Sequence, residues 1–189
     1  MTLKTYDQQF FEKGVELCSL GLGTVTNFRR MMSELSKEVV QEKLGGLSGA
    51  LGVALQPANI RPHHYPSRVE DDWNGQEIWA AACIEIPSFG IAYFGMFWGG
   101  PSHRDPRDAR VAAMFSPRNR MACDMLIRLC HQHALLDVQN WYPKEVGLFD
   151  ALPGAHSQEE FKACLAGLID RWLTLFAEIG GVAGFNQVP

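Results

Sequence analysis

The chain has 189 residues, of which 47% are hydrophobic and 20% are charged, and its formal net charge is −4. That composition is typical of a globular protein with a substantial core, and it argues against intrinsic disorder. The acidic balance disfavours attraction of the whole molecule to nucleic acid or to an anionic membrane. We therefore expect a single domain over residues 1–189, with no membrane partner.

Cysteine usage and the N-terminus predict the compartment. The five cysteines are scattered, and most lie within apolar patterns. Thiols of that kind are typical of a reducing cytoplasm. The first residues lack a basic region followed by an apolar one, so no signal peptide is predicted. No apolar run reaches the ~18–20 residues that span a bilayer. We expect a cytoplasmic protein.

Two helices are predicted before residue 45. The first covers residues 5–20 and ends at Gly21 and Gly23, and the second covers 27–43 and ends at Gly45–Gly46. The apolar stripe of the second helix consists of Phe28, Met31, Met32, Leu35 and Val39. A helical pair of this kind within residues 1–44 is expected to pack on a sheet.

A three-stranded antiparallel meander is predicted over residues 68–98. Asn74-Gly75 indicates a tight hairpin, because a type I′ turn needs positive φ at both central residues. Residues 87–90, Pro-Ser-Phe-Gly, predict the second turn, with proline fixing φ and glycine free to adopt a left-handed conformation. The proline-rich segment 56–66 is expected to be extended or looped and to lead into the meander.

The two faces of the predicted strands differ in polarity. The apolar face of the middle strand consists of Ile78, Ala80, Ala82, Ile84 and Ile86. Its mixed face consists of Glu77, Trp79, Ala81, Cys83 and Glu85. Both faces of the strand 91–98 are apolar, so we expect cover on both sides, by a helix of this chain, a partner or a ligand. Glu77, Trp79 and Glu85 are therefore candidates for an interface.

Further helices are predicted downstream of the meander. Ser116-Pro117 is expected to begin a helix that runs to about residue 134, with serine as the cap and proline at the first helical position. Ser157 and Glu160 have the spacing of a capping box and begin another helix, which ends at Gly180–Gly181. Residues 141–152 predict an edge strand or a packed loop. The predicted fold class is α+β, with a mainly antiparallel sheet of three to five strands flanked by four or more helices.

The polar loop between residues 99 and 110 is the main candidate for a ligand site. It follows an aromatic strand directly, and arginine can bind a phosphate or a carboxylate through paired hydrogen bonds. The candidate ligand-binding residues are Ser102, His103, Arg104, Asp105 and Arg107 in the loop, with Tyr93 and Trp98 in the pocket wall. The alternative is a solvated loop whose arginines and aspartates pair with one another.

Motifs for catalysis and metal binding are missing from the sequence. It contains no dinucleotide or Walker glycine loop, no nucleophile elbow and no zinc-finger spacing. The six histidines do not have the spacing of metal ligands, so no metal and no cofactor are predicted. Nucleic-acid binding is disfavoured, because aspartates interrupt the arginines between residues 104 and 120.

Two functional hypotheses follow from these patterns. The first is an interaction module, such as an inhibitor, an immunity-type protein or a regulatory protein, that binds another protein or a second copy of itself. The alternative is a small-molecule enzyme or ligand sensor that uses the loop 99–110 beside the strand 91–98. Missing catalytic motifs and a sheet with two apolar faces favour the interaction module over an enzyme.

Overall fold

A computed structural model describes residues 3–65, 78–98, 110–133, 135, 138–140, 145–151 and 157–186. For residues 3–20 and several single positions, Trp98 among them, the description covers the backbone alone. The described residues form three α-helices and a six-stranded antiparallel sheet. This architecture confirms the α+β class.

The elements follow one another along the chain in the order of their labels. The helices are α1 (Leu3–Leu51), α2 (Arg120–Gln132) and α3 (Gln158–Glu178), and short 3-10 helices cover Pro57–Asn59 and Gly181–Asn186. The strands are β1 (Ile60–Tyr65), β2 (Ile78–Ile86), β3 (Gly90–Trp98), β4 (Arg110–Pro117), β5 (Val138–Asn140) and β6 (Val146–Ala151). Their spatial order is β1-β2-β3-β4-β6-β5. Five strands have six or more residues, within the predicted range, and the three-residue β5 adds a sixth at the edge.

The meander begins earlier in the chain than the sequence predicts. The strand beside β2 is β1, whose register runs from Ile60 opposite Ile84 to Tyr65 opposite Trp79. The prediction that residues 68–73 form the strand beside β2 is therefore wrong. The Asn74-Gly75 dipeptide of the predicted hairpin lies outside the described residues. Pro62 fits the edge position of β1, where a missing N–H is tolerated.

The turn between β2 and β3 confirms the prediction for residues 87–90. The Phe89 N–H donates to the Ile86 carbonyl at 3.1 Å. The left-handed φ falls on Ser88, at 62°, whereas Gly90, which was predicted to supply it, is close to extended, with a φ of 159°. Gly90 is needed for a different reason: a Cβ there would collide with the backbone carbonyl of Ser116 on β4.

The helices differ from the prediction in number and in one boundary. Gly21 and Gly23 lie inside α1, so one helix of 49 residues replaces the predicted pair, and the described chain has fewer than four α-helices. Glycine disfavours a helix by about 1 kcal/mol but does not forbid one. The helix predicted from Ser116-Pro117 begins at Arg120 instead, because Pro117 ends β4 opposite Gly90.

The helix caps show how side chains fix the starts of α2 and α3. The Asn119 side chain accepts a hydrogen bond from the Met121 N–H at 2.8 Å and caps α2. The capping box of α3 is confirmed: the Ser157 hydroxyl accepts from the Glu160 N–H at 3.1 Å. The Glu160 carboxylate accepts from the Ser157 N–H at 2.9 Å.

All three helices pack on one face of the sheet. Their apolar residues form a single core with Ala80, Ala82, Ile84 and Ile86 of β2, as the alternation of that strand predicts. Trp172 of α3 is fully buried there, and its indole N–H donates to the Ala113 carbonyl of β4 at 2.9 Å. Within the described part of the chain, none of the helices is long and apolar enough to cross a membrane.

Candidate functional site

The face of the sheet opposite the helices carries most of the candidate residues. We call it the aromatic face; its members are the alternate residues of the strands that include His63, Trp79, Cys83, Glu85, Ile91, Tyr93, Phe97, Met114 and Phe149. Phe97, Ala112, Met114 and Phe149 form a second buried cluster, against which Trp79 and Tyr93 pack half-buried. No described helix contributes to this cluster.

Strand register arranges the aromatic face in three rows across the sheet. The small row consists of Ala81, Gly95 and Ala112, with His63 at one end and Phe149 at the other. The row on one side of it runs from Tyr65 through Trp79, Phe97 and Arg110 to Ala151. The row on its other side consists of Arg61, Cys83, Tyr93, Met114 and Gly147. The face therefore has small residues in the middle and large ones around them.

Rings from the outer rows meet above the small row. Trp79 and Tyr93 are offset by four strand positions, or about 13 Å of backbone, yet their ring centroids are 6.2 Å apart. His63 and Tyr93 lie two strands apart, and their centroids are separated by 4.9 Å. Ala81, which lies between Trp79 and Cys83 on the same face of β2, is fully buried.

A second set of ring contacts lies on the part of the aromatic face formed by β3, β4 and β6. Phe97 of β3 and Phe149 of β6 lie on either side of Ala112, with centroids 5.9 Å apart. Trp79 also contacts Phe97 edge-on at 4.9 Å. Edge-to-face pairs of this kind add about 0.5–1.5 kcal/mol to simple burial. Helices cover one face of β3. On its other face Phe97 is buried and Tyr93 is half-buried, and the expected cover there by a helix, a partner or a ligand stays a prediction.

A charged and partly exposed row borders the aromatic face. Glu85 and Ile91 are cross-strand neighbours near the β2–β3 turn, and Ile91 is 37% exposed. Arg118, between β4 and α2, binds the Glu85 carboxylate at 2.7 Å. The Arg118 N–H also donates to the Phe89 carbonyl at 2.7 Å. We call Glu85, Ile91 and Arg118 the rim.

Burial favours the neutral forms of two titratable groups of the aromatic face, Cys83 and Tyr93. Burial raises the pKa of the Cys83 thiol above its ordinary value, although the positive charge of Arg61 opposes the shift. Burial also raises the pKa of Tyr93, with a smaller contribution from the negative charge of Glu145. A nucleophilic thiol requires a lowered pKa, so Cys83 is a neutral, weakly reactive group at physiological pH.

The remaining described cysteines have the same character. Burial raises the pKa of Cys123, raises that of Cys130 to about 12, and raises that of Cys164 to about 11. Among the residues that the structure describes, no group of three or more histidine, cysteine, aspartate or glutamate side chains could hold a metal ion. The described groups of the aromatic face can stack, exclude water and form hydrogen bonds.

Part of the predicted site lies on this face. Tyr93, Trp79 and Glu85 are brought to the same side of the sheet, with Trp79 against Tyr93 and Glu85 at the rim. Trp98 ends β3, and only its backbone is described. The other candidates lie outside the described residues, and their roles stay predictions: Glu77, Ser102, His103, Arg104, Asp105 and Arg107.

Three residues of the face were missed at the level of sequence. His63 lies in the proline-rich segment 56–66, for which the sequence predicts an extended or looped lead-in to the meander; an extended strand there carries alternating residues to one face. Met114 lies in β4, and for residues 109–115 the sequence predicts no more than a brief element of unspecified type. Phe149 lies in β6, where the alternation of Val146 and Leu148 with Gly147 and Phe149 carries the signal.

Comparison with known proteins found no match for this chain among protein-family models, curated proteins or solved structures.

Proposed function

We propose that this protein is a non-enzymatic interaction module, of the inhibitor, immunity or regulatory kind, that binds another protein through its aromatic face. The observation that carries the proposal is a half-buried Trp79–Tyr93 pair on the helix-free side of the described sheet, bordered by the partly exposed Ile91. Tryptophan and tyrosine are the side chains that most often dominate binding energy in protein interfaces.

The rim supports a protein partner over an apolar small molecule. Glu85 and Arg118 present one charge of each sign at the border of the rings, and an apolar centre with a polar rim is the usual anatomy of a protein interface. Pairing of an added strand with β1 is not favoured. The Ile60 N–H already donates to the Pro57 carbonyl, and Pro62 has no N–H to offer.

The thiol chemistry supports binding over catalysis. Burial is the first cause of a raised pKa at each of the four cysteines whose side chains are described, Cys83, Cys123, Cys130 and Cys164. The alternative, an enzyme or ligand sensor that uses the loop 99–110, draws support from position alone: that loop joins β3 to β4 beside Phe97 and Arg110. Of the two, the interaction module accounts for more of the described face.

A pull-down from native extract with matched variants tests the proposal. Ile91→Glu places a charge on the rim, whereas Met121→Glu places the same charge on α2, at an exposed methionine of the helical layer. Ile91 and Met121 are 37% and 52% exposed, so neither change opens the core. We expect partners captured by wild-type protein and by Met121→Glu to be lost with Ile91→Glu.

Two results of this pull-down would contradict the proposal that the aromatic face binds a protein partner. A partner retained equally by both variants would show that the aromatic face and its rim are not the binding surface. A small molecule that co-purifies with the protein and is lost on changing Arg104 or Arg107 would instead favour the ligand-sensor alternative. The roles of Arg104 and Arg107 are predicted from the sequence alone, so variants at these two positions test the loop 99–110 independently of the aromatic face.

A further inference from the structure

The turn between β2 and β3 contains a strained backbone position. Among the described residues, Ser88 is the only one other than glycine with a positive φ, at 62°. The Phe89 N–H donates to the Ile86 carbonyl, and Pro87 holds its own φ at about −65°. These features define a type II turn with Ser88 at the third position, which glycine or asparagine ordinarily occupies.

Packing on either side of the turn holds this conformation in place. The Phe89 ring is buried, with centroid distances of 5.1 Å to Phe185 and 5.8 Å to Phe176. The Phe89 carbonyl accepts a hydrogen bond from the Arg118 N–H at 2.7 Å. A residue in a sparsely populated backbone conformation persists only where its surroundings determine the backbone. These contacts do so, and the turn is therefore preformed.

The Ser88 side chain has no use within the described part of the chain. The residue is exposed, and its hydroxyl forms no hydrogen bond to a described residue. Neither the turn geometry nor internal hydrogen bonding accounts for a serine at a position where glycine would relieve strain. Backbone outliers of this kind are concentrated at binding and switch sites.

The turn lies beside the rim of the aromatic face. Ser88 follows Glu85 by three positions and precedes Ile91 by three, and these two rim residues are paired across β2 and β3. Arg118 holds the turn through its backbone N–H and binds the Glu85 carboxylate through its guanidinium at 2.7 Å. One residue thus fixes both the turn and the rim, so the position of Ser88 relative to the rim is fixed as well.

We propose that Ser88 is a specificity-determining residue of the interface, and that its hydroxyl hydrogen-bonds to a polar group of the partner protein. The inference rests on the proposed function, because it assigns a further contact to the same binding surface. A serine hydroxyl can donate one hydrogen bond and accept others. The strained turn orients this hydroxyl before the partner arrives, so that binding carries no cost of ordering the turn.

The place of Ser88 in the sheet separates this contact from the ligand-sensor alternative. Trp98 and Arg110, between which the loop 99–110 lies in sequence, are at the opposite end of β3 and β4 from the turn. A small molecule bound by that loop alone would not depend on Ser88. A partner protein that covers the rim would meet the turn directly.

Two substitutions at Ser88 separate the hydroxyl contact from the backbone strain. Ser88→Ala removes the hydroxyl and keeps the strained conformation, whereas Ser88→Gly removes both. Each variant should weaken binding by about 3–10-fold, the loss expected for one hydrogen bond. Thr174→Ala is the matched control, because Thr174 carries an exposed hydroxyl on α3 that donates to the Asp170 carbonyl of the same helix. It should bind as tightly as wild type.

Titration of the purified partner measures these losses. The protein that wild type captures from native extract and that Ile91→Glu loses is identified by mass spectrometry, purified and titrated by calorimetry against wild type and the three variants. Thermal melts give the second readout. Ser88→Gly should melt at or above the wild-type temperature, by up to roughly 4 °C, and Ser88→Ala close to it. A merely structural role for Ser88 would lower affinity and melting temperature together.

The outcomes distinguish this inference from the proposed function. Wild-type affinity in Ser88→Ala would overturn the inference and leave the aromatic face as the binding surface. A Ser88→Gly protein that melts below wild type, or equal weakening in Thr174→Ala, would overturn it as well. If no captured protein is lost with Ile91→Glu, the proposed function fails, and the inference fails with it.

Discussion

Substitution of Gly95 by alanine tests the aromatic face at its most crowded point. Gly95 lies in the small row, where an added Cβ would be 2.5 Å from the Ala81 Cα and 2.8 Å from its Cβ. No side-chain rotation relieves this overlap, because both atoms are fixed to the backbone. Overpacking a buried site costs about 1–3 kcal/mol, whereas replacing glycine at an unhindered position stabilises by roughly 0.5–1 kcal/mol. We therefore expect Gly95→Ala to destabilise the protein.

Urea unfolding followed by tryptophan fluorescence measures the effect. We expect the free energy of unfolding to fall by about 1–3 kcal/mol, with a melting temperature lower by roughly 2–4 °C per kcal/mol. Gly45→Ala is the matched control: Gly45 is exposed in α1, and a Cβ there would meet no atom within 4 Å. That change should stabilise the helix by about 1 kcal/mol. A Gly95→Ala protein as stable as wild type, beside a stabilised Gly45→Ala protein, would refute the small-row geometry.

Two further predictions concern the start of α2 and a buried thiol in that helix. Asn119→Ala should lower the free energy of unfolding by about 1 kcal/mol, because the Asn119 side chain caps α2. Ser116→Ala is the control and should leave the free energy of unfolding nearly unchanged. If thermal melts show the same loss of stability in both variants, Asn119 is not the cap of α2. Burial raises the pKa of Cys130 from 9.0 to about 12, so the thiol ionises in the unfolded chain before it ionises in the folded one. Its contribution to stability is complete below pH 9 and is lost as pH rises towards about 12, at up to about 1.4 kcal/mol per pH unit. Urea unfolding measures the free energy of unfolding at about pH 8 and at about pH 10.5. Between these two pH values, that free energy should fall less in Cys130→Ala than in the wild-type protein. An identical fall in both proteins would refute the linkage between Cys130 ionisation and stability.

Local signals in the sequence predicted the parts of the fold that depend on local chemistry. The capping box of α3 forms as predicted, because Ser157 and Glu160 satisfy each other's backbone N–H groups whatever lies nearby. The turn at residues 87–90 and the alternation of β2 were also confirmed, since both follow from backbone geometry within a few residues. These signals place Trp79, Glu85 and Tyr93 on one face without knowledge of the whole sheet.

Features that depend on distant contacts were not predictable in the same way. Ser116-Pro117 has the composition of a helix start, yet Pro117 pairs with Gly90 across the sheet, and α2 begins after Asn119. The glycines at 21 and 23 resemble helix ends, but α1 continues through them. In the first case cross-strand pairing, which the local sequence does not contain, outweighs the local preference for a helix start; in the second, the cost of about 1 kcal/mol per glycine does not end the helix.

The rows of the aromatic face determine which variants can separate binding from folding. Trp79 and Tyr93 pack against buried residues of the second cluster, so truncating either ring removes core contacts together with any binding surface. The rim is different, because the side chains of Arg118 and Glu85 are 65% and 49% exposed, and their ion pair contributes only about 0–1 kcal/mol to stability. Ile91 lies in the same row at partial exposure. A charge at Ile91 therefore changes what the face can bind while the rings beneath keep their packing, and loss of a partner there cannot be attributed to an unfolded sheet.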